Sequence, residues 1–396
     1  MEPLYLHAMG LATPLGSDPE GVSESLFSGT TRGLCPRSDL IPGQTVPVGE
    51  VTAPLAETAL PAIYNSRNNR LALTALNQIR REVEGAIDRF GTDRLAVVVG
   101  TSTSGLGDSE ADIAHKVRSG GFPPDFEFLL QETGSLSGFL RDHLGLTGPA
   151  QTVSTACTSG AKALASACRL IRVGLADAAL VGGADSLCKL TLNGFHALES
   201  LSVEPCQPFS RNRDGINIGE GAALFLLSKD PGPVAVLGIG ETSDAYHISA
   251  PSPDGEGARR ALETALRTAE VGPEAVGYLN LHGTATPLND AMEAKMVAEL
   301  FPDGVPCSST KAMTGHALGA AGAIELAFLW LTLSPDWGRG RLPPHIWDGQ
   351  ADPDLPELEL VQLGMRRSAD KPVLLSSSFA FGGNNICIAL GPGRMT

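Results

Sequence analysis

The sequence predicts a layered α/β fold in which a buried sheet is sandwiched by helices. Apolar runs that suit strands buried on both faces end near a glycine, and segments with helical spacing lie between them. The predicted strands are residues 95–100, 178–183, 234–240, 276–282 and 373–379. The predicted helices are residues 161–173, 257–269, 291–300 and 319–333. This β/α alternation favours helices and strands packed in layers.

A faint internal repeat supports two similar halves. In each pair of related stretches, an apolar strand pattern adjoins a glycine turn. The pairs are LYLHAMGLATP (4–14) with VAVLGIGETSD (234–244), and GEGAALFLLSKD (219–230) with FGGNNICIALGPG (381–393). We therefore predict two similar halves, 1–230 and 231–396.

Composition bounds the class of protein. The chain has 396 residues, of which 42% are hydrophobic and 18% charged, so a globular protein with more than one core is expected. The net charge of -15 argues against nonspecific nucleic-acid binding, because phosphates must be met by Lys and Arg. The seven cysteines show no Cys-x-x-Cys pair, so we expect neither disulfides nor a structural metal. The chain shows neither a secretion signal nor a membrane span, and we expect it in the cytoplasm.

Cys157 is the first candidate catalytic residue. It lies where a β-branched segment, 152–155, meets a helical pattern that continues to Gly174. A thiol in the first turn of a helix is near the positive end of the helix dipole, which favours the thiolate. Such a thiolate can accept an acyl group. The structural alternative is a small buried hydrophobic residue, as we expect for Cys168 and Cys188.

Three further segments carry candidate residues. His282 closes a strand-like run ahead of a glycine turn, a position where ligands collect in α/β sheets. Lys311 and His316 lie in a glycine-rich loop before an Ala-rich helix that carries Glu325. Residues 376–385, SSSFAFGGNN, end a strand with a Phe-Gly-Gly turn. Each segment has a structural alternative. His282 could be a structural histidine with its hydrogen bonds made inside the fold, and the glycine-rich loop could serve tight packing, with Lys311 and Glu325 as an ion pair. Residues 376–385 could form a plain β-turn.

Taken together, the segments resemble the β-ketoacyl-acyl carrier protein synthases of the type I/II branch. The matching stretches are GLATPLG (10–16), VSTACTSGAKAL (153–164), RNRDGINIGEGAA (211–223), SDAYHISAP (243–251), HGTATPLND (282–290), STKAMTGHALGAAGAIE (309–325) and SFAFGGNN (378–385). They span nearly the whole chain. The resemblance implies the thiolase fold, with two similar halves in five layers, α-β-α-β-α, normally as a dimer.

The resemblance also implies a decarboxylative Claisen condensation with malonyl-acyl carrier protein. Cys157 would take the acyl chain as a thioester, and the backbone N–H groups of Cys157 and Phe381 would form the oxyanion hole. His282 and His316 would hold the malonyl thioester and stabilise the enolate left as CO2 departs. Two neutral imidazoles can donate hydrogen bonds to an enolate oxygen without protonating its carbon.

Supporting roles follow from the same resemblance. Lys311 would keep the imidazoles neutral, and Glu325 would hold Lys311. The predicted substrate-binding residues are Thr284, Thr286, Asp290, Phe379, Asp244 and His247. The two threonines would bond the pantetheine arm, the aspartate on the HGTATPLND stretch would order the site, and Phe381 and loop 244–251 would gate it.

The third catalytic group separates relatives that share this fold. Initiating ketosynthases and chalcone-type synthases have Asn in place of His316, and thiolases have a second Cys. Chain-length factors lack the nucleophile that Cys157 provides here. The combination of Cys157 with His282 and His316 therefore indicates an elongating enzyme. The alternative is a non-catalytic subunit of a ketosynthase heterodimer, either a chain-length factor or a scaffold.

Acyl carrier protein is the predicted partner, and its phosphopantetheine arm carries the substrates. We expect no separate cofactor and no metal. We also expect the chain to form a homodimer, or a heterodimer with a chain-length-factor-like homologue. Because carrier proteins are acidic, docking needs a local group of cations. Arg67 and Arg70, spaced i, i+3, are the first candidates, and Lys116 and Arg118 are the second. The alternative is that all four are ordinary surface cations.

The pathway stays open between two possibilities. Ala380, Asn289 and the stretch PPHIWDG (343–349) depart from what we expect of housekeeping fatty-acid enzymes. These departures resemble ketosynthases of specialised pathways, in particular aryl-polyene systems. Ordinary fatty-acid elongation is the other possibility.

Overall fold

The computed structural model describes residues 3–57 and 59–393. Its strands are β1 (Leu4–Ala12), β2 (Leu34–Ile41), β3 (Gln44–Gly49), β4 (Leu95–Gly100), β5 (Ala150–Val153), β6 (Ala178–Asp185), β7 (Gly221–Ser228), β8 (Val234–Ser243), β9 (Val276–Asn280), β10 (Cys307–Ser308), β11 (Val373–Ala380) and β12 (Asn384–Pro392). Its helices are α1 (Pro19–Ser28), α2 (Arg67–Gln78), α3 (Arg80–Phe90), α4 (Leu106–Ser119), α5 (Ser135–His143), α6 (Ser159–Arg172), α7 (Lys189–Ala197), α8 (Glu256–Ala269), α9 (Pro287–Leu300), α10 (Lys311–Thr314) and α11 (Ala321–Leu333). Within the described ranges, each helix falls short of the length and apolarity that a bilayer crossing requires.

Two sets of strands repeat the same arrangement. The large sheet has the order β10-β9-β11-β12-β8-β1-β7-β6-β4-β5. Its first half, β5-β4-β6-β7-β1, therefore has the same connectivity as its second half, β10-β9-β11-β12-β8. The stretches that showed the internal repeat are the corresponding strands β1 and β8, and β7 and β12. The halves meet where β1 pairs with β8, and the division between residues 230 and 231 stays a prediction.

Helices α6 and α11 form the middle layer between the two halves. α11 is apolar on almost all sides and buried through Thr332, as expected of a helix inside a core. It contacts α6 and strands of both halves, including β7 and β11. Helices α2, α3 and α5 cover the outer face of the first half, and α8 and α9 cover that of the second. This is the predicted five-layered fold, which is confirmed.

Two local differences from the predictions matter for the site. β9 ends at Asn280, so His282 lies in the loop after the strand. α6 begins at Ser159, so Cys157 lies just before the helix and not in its first turn. The cause is Ala156, whose left-handed backbone (φ 52°) turns the chain sharply at this point.

Candidate active site

Three loops from the two halves meet at one cavity. Cys157 precedes α6, His282 follows β9, and His316 follows α10. The Sγ of Cys157 is 3.0 Å from Nε2 of His316. The ring centroids of His282 and His316 are 5.3 Å apart, with the rings at 84° to each other. One donor atom from each of the three residues lies within 4.8 Å of the other two. The fold thus brings together three candidates that are far apart in the sequence.

Close packing of α6 against the segment that leads into α11 sets the distance between Cys157 and His316. Gly160 leaves no room for a side chain, because a Cβ there would lie 3.0 Å from the carbonyl oxygen of Gly319 and 3.0 Å from the backbone nitrogen of Ala323. The small residues predicted to allow tight packing therefore do so at the point where the two halves share the site.

The Cys157 thiol is protonated at neutral pH. Only 7% of the residue is exposed, and this burial raises the pKa of the thiol to about 12, although the positive charge of Lys311 lowers it. Burial therefore opposes the thiolate that the position near the helix start was expected to favour. The thiol proton has a nearby acceptor in Nε2 of His316.

Both active-site imidazoles are neutral. Burial, reinforced by the charge of Lys311, lowers the pKa of His282 and of His316 well below the usual value of 6.5. The neighbouring His316 lowers the pKa of His282 further. Their neutral state and the contribution of Lys311 agree with the charge states that the resemblance implied.

Lys311 and Glu325 form a buried ion pair beside the histidines. Nζ of Lys311 lies 2.5 Å from Oε1 of Glu325, and the side chains are only 2% and 4% exposed. Burial raises the pKa of the Glu325 carboxyl, whereas Lys311 lowers it. Since an unpaired charge is costly in this environment, removal of either partner would leave the other charge buried and uncompensated.

Two carboxylates of α9 support the loop of His282. Oε1 of Glu293 accepts a hydrogen bond from the backbone N–H of His282, and Oε2 accepts one from Gly283, both at 2.7 Å. Oδ2 of Asp290 accepts a bond from the backbone N–H of Phe209 at 2.8 Å. Asp290 was singled out from the sequence, but Glu293 was not. The available signal was an acidic residue three positions after Asp290, within the predicted helix 291–300.

The shared cavity has a volume of about 310 Å³. Besides Cys157, His282 and His316, its lining includes four residues that the sequence analysis proposed. These are Thr284, Thr286, Phe379 and Phe381. Asp290 lies behind the cavity and does not line it. Phe381 also contacts Phe195, with ring centroids 5.4 Å apart, so aromatic rings narrow the cavity on that side.

The two predicted gating loops are hydrogen-bonded to each other. The backbone N–H of Gly382 donates to the carbonyl of Ile248 at 2.7 Å, and that of Asp244 donates to Gly383 at 2.8 Å. Oδ1 of Asp244 also accepts a bond from Asn385 at 2.6 Å. Asp244 therefore joins the loops instead of lining the cavity. Their gating role stays a prediction.

His247 lies at the surface of the same loop. Its Nδ1 accepts hydrogen bonds from the backbone N–H groups of Ser249 and Ala250, each at 3.2 Å. It does not line the cavity. These contacts support a structural role within the loop and give no support to direct substrate binding.

The first pair of candidate docking cations is engaged inside the fold. Arg67 lies 2.5 Å from Oε1 of the fully buried Glu220 and also donates to the carbonyl of Val51. Arg70 donates to the carbonyl of Ala56 and to Oδ1 of Asn65. Arg67 is therefore a poor docking residue, because its charge is already neutralised by a carboxylate of the same chain.

The second pair of cations lies on the exposed end of α4. Lys116 and Arg118 are both exposed. Nζ of Lys116 lies 4.0 Å from the ring centroid of Phe122, which leaves the ammonium group at the surface. Of the candidates proposed for carrier-protein docking, these two remain available.

The thiol and imidazoles are also donor types that hold zinc. Histidines that bind a metal usually donate their other N–H to a carboxylate or carbonyl group. Within residues 3–57 and 59–393, Nδ1 of His282 and Nδ1 of His316 are buried without such a partner. The surroundings of the three residues thus lack the supporting bonds typical of a dedicated metal site.

Comparisons with known proteins agree with this geometry. Two family profiles match the chain, the β-ketoacyl synthase N-terminal domain over residues 60–231 and its C-terminal domain over residues 234–346. The chain is 32% identical to a 3-oxoacyl-[acyl-carrier-protein] synthase 2 of Synechocystis, with 96% of each chain covered. It is also 32% identical to one of Staphylococcus aureus, with 95% of this chain and 98% of the relative covered.

A solved structure is similar over nearly its full length. One chain of the complex of a ketosynthase (ApeO) with its chain length factor (ApeC), from Xenorhabdus doucetiae, superposes with a TM-score of 0.93. The identity is 44%, with 99% of this chain and 98% of that chain covered. By sequence, fold and the convergence of Cys157 with two histidines, this chain belongs to the β-ketoacyl synthase family.

Proposed function

We propose that this protein is an elongating β-ketoacyl-acyl carrier protein synthase that performs a decarboxylative Claisen condensation. The observation that carries the proposal is the meeting of Cys157, His282 and His316 in one cavity. A nucleophile and two neutral hydrogen-bond donors are the groups that such a condensation needs. The names of the Synechocystis and Staphylococcus relatives support the same activity.

The first step is transfer of the acyl chain to Cys157. The sulfur attacks the thioester of acyl carrier protein, a new C–S bond forms, and the pantetheine C–S bond breaks. Because the thiol is protonated at rest, His316 accepts its proton across the 3.0 Å contact and passes it to the departing pantetheine sulfur. The backbone N–H groups of Cys157 and Phe381 are proposed to stabilise the tetrahedral oxyanion.

The second step joins the two chains. The bond from malonyl carbon to its carboxylate breaks, CO2 leaves, and the electron pair forms an enolate. The enolate oxygen accepts hydrogen bonds from His282 and, after the imidazole proton moves to Nε2, from His316. The enolate carbon then attacks the acyl carbonyl on Cys157. The C–S bond breaks, 3-oxoacyl-carrier protein forms, and the Cys157 sulfur takes up a proton. These roles need neutral imidazoles, which burial and Lys311 provide.

The main alternative is a non-catalytic subunit such as a chain-length factor or a scaffold. Such a subunit has no use for a thiol, two neutral imidazoles and a buried lysine that meet at one cavity. Burying the charges of Lys311 and Glu325 also costs free energy of desolvation, and a catalytic role for the Lys311 charge accounts for this cost. The site therefore favours the catalytic subunit.

A second ketosynthase-like chain is the proposed dimer partner, and a chain length factor is favoured over an identical copy. The structure solved with a chain length factor has the higher identity, 44% against 32% for the 3-oxoacyl synthases 2. β5 is one edge strand of the large sheet, and Val117, Phe128 and Leu129 expose 82%, 62% and 44% of their surface. An open sheet edge and exposed apolar side chains both suit a partner chain.

The same comparison favours specialised chain elongation, for example of aryl polyenes, over housekeeping fatty-acid synthesis. Carrier protein is the proposed donor of both substrates, with Thr284 and Thr286 along the path of its pantetheine arm. No cofactor is included in the proposal, because Cys157 and the histidines supply the required chemistry. The cysteines are free thiols, which fits the proposed cytoplasmic location.

A direct assay tests the proposal. The protein, with and without a chain-length-factor partner, is mixed with acyl- and malonyl-carrier proteins, and the acyl-enzyme, CO2 and 3-oxoacyl product are measured. We expect an acyl group on Cys157 and equal amounts of CO2 and product. If neither the acyl-enzyme nor CO2 is detected, whether the chain-length-factor partner is present or absent, the catalytic proposal is rejected.

A further inference from the structure

The PPHIWDG stretch, 343–349, passes directly behind the active site through His345. This residue is 6% exposed. Its Nδ1 accepts a hydrogen bond from the backbone N–H of Ser309 at 3.1 Å, and its Nε2 lies 3.0 Å from the carbonyl oxygen of Pro208. Because a carbonyl can only accept, Nε2 must carry the proton. Both ring nitrogens are therefore in use, and the tautomer is determined by the two partners.

Ser309 connects this imidazole to two loops of the site. Its Oγ donates to the carbonyl of Gly283, next to His282, at 2.6 Å. The same Oγ accepts the backbone N–H of Lys311 at 3.3 Å. The loops also touch, since a Cβ on Gly283 would lie only 2.5 Å from that of Ser309. Ser309 is thus bonded both to the loop of His282 and to the backbone of Lys311.

An imidazole is well suited to this position. It accepts on one side of the ring and donates on the other, so it can span the amide of Ser309 and the carbonyl of Pro208. Phe209 and Trp347 pack near the ring, with centroids 5.9 Å and 5.8 Å away. Burial lowers the pKa of His345 to about 4, which keeps Nδ1 free to accept at neutral pH.

We propose that His345 is a positioning residue for the decarboxylation step, because through Ser309 it holds His282 and Lys311 in their relative places. This inference rests on the proposed function and adds a residue that does not itself touch substrate. The backbone N–H of His316, which faces the thiol, donates to the carbonyl of Asn217 at 2.7 Å, a contact that does not involve Ser309. The loss of His345 should therefore slow decarboxylation of the malonyl thioester more than acyl transfer to Cys157.

The test compares two rates in the full-length protein with its partner. One is acylation of Cys157 by a small acyl-pantetheine thioester, and the other is CO2 release from malonyl-carrier protein. His345→Phe keeps a ring but removes both hydrogen bonds, and we expect CO2 release to fall about tenfold while acylation changes by less than about twofold. His345→Gln, whose amide oxygen can accept from Ser309, should recover part of the loss. Trp347→Phe changes the neighbouring ring alone and should leave both rates near wild type.

Other outcomes overturn the inference. The two rates are measured well below the unfolding temperature of the His345 variant. If both fall equally, or if neither falls, His345 has a structural role only. If His345→Phe does not fold, His345→Gln must still slow CO2 release more than acylation, or the inference fails. A wild-type protein that neither becomes acylated nor releases CO2 would instead reject the proposed function itself, and the inference with it.

Discussion

The Sγ of Cys157 lies 3.0 Å from Nε2 of His316, although the two residues belong to opposite halves of the molecule. Burial keeps the proton on sulfur and keeps the imidazole neutral. The pair is therefore ready to transfer a proton as the thiol attacks, without a permanent thiolate in the resting site. A donor atom of His282 also lies within 4.8 Å of the sulfur, but within residues 3–57 and 59–393 the hydrogen bond to Sγ comes from His316 and not from His282. The two histidines should consequently be separable by experiment.

Substitution of the nucleophile should separate its two partial reactions. Cys157→Ala removes the sulfur, so we expect no acyl-enzyme by mass spectrometry and no condensation. Cys157→Gln should also lose condensation but continue to release CO2 from malonyl-carrier protein, because His282 and His316 remain. Acyl-enzyme in either variant would show that another residue is the nucleophile.

The two histidines should differ in acyl transfer. His282→Ala and His316→Ala should each lower CO2 release about 100-fold, since each removes a donor to the enolate. Acylation of Cys157 should fall about 100-fold in His316→Ala, which removes the proton acceptor. It should change by less than about threefold in His282→Ala. Rapid-quench measurement of the two steps checks this, and equal acylation rates in both variants would contradict the role of the sulfur contact.

A double substitution can separate the stabilising and catalytic effects of Lys311. Lys311→Met should destabilise the fold by about 3–5 kcal/mol, because it leaves Glu325 buried without a partner. Lys311→Met with Glu325→Leu should recover most of this free energy of unfolding, as measured by urea denaturation. A double variant no more stable than Lys311→Met would show that the ion pair is not the cause.

The same double variant should change the pH dependence of decarboxylation. Lys311 lowers the pKa of His282 and His316, so removing its charge raises both. Since the enolate step needs neutral imidazoles, the acidic limb of the pH-rate profile should move to higher pH. An unmoved acidic limb in a folded double variant would mean that Lys311 does not control the histidines.

Glu293 should make stability fall as the pH rises. Burial raises the pKa of its carboxyl from the usual 4.5 to about 7, so between these values the folded state binds more protons than the unfolded state. The free energy of unfolding contributed by this group is greatest below pH 4.5 and is lost as the pH passes through 7. Glu293→Gln removes the titrating group but also some hydrogen bonds, which adds a constant loss.

The difference between the wild type and Glu293→Gln is therefore the quantity to measure. Urea unfolding at a series of pH values should show that the variant becomes relatively more stable between about pH 5 and about pH 7.5. Asp290→Asn is a useful comparison, because burial raises the pKa of Asp290 to about 6 and its window should lie lower. If the difference in free energy of unfolding between the wild type and Glu293→Gln does not change with pH, the Glu293 carboxyl does not titrate in this range.

Arg67 and the α4 cations should respond differently to substitution. Arg67→Met leaves Glu220 buried without its partner, so we expect about 2 kcal/mol of destabilisation and similar losses with carrier-bound and small thioester substrates. Lys116→Glu with Arg118→Glu should spare stability and the small substrate but weaken carrier-protein substrates, most strongly at low salt. Unchanged use of carrier protein by the α4 variant would remove that surface as the docking site.

The strand and helix patterns and the candidate catalytic residues could be predicted from the amino-acid sequence. β4 has the predicted bounds, because a run of small and branched apolar residues that ends at Gly100 suits a strand buried on both faces. The resemblance of residues 309–325 to the ketosynthases predicted His316 as the third catalytic group. Strand and helix patterns depend on neighbouring residues along the chain, so local spacing was enough to find them.

The charge states, ion pairs and relative positions of the site residues could not be predicted in this way, because they depend on how the chain folds. The raised pKa of Cys157 comes from burial by segments far away in the chain, and this outweighs the effect of the adjacent helix. Arg67 appeared to be a free surface cation because its partner, Glu220, lies 153 residues away. His345 acts on the loop of His282 through Ser309, a contact between three separate segments. Desolvation and hydrogen bonding depend on which segments meet in space, and local sequence patterns do not contain that information.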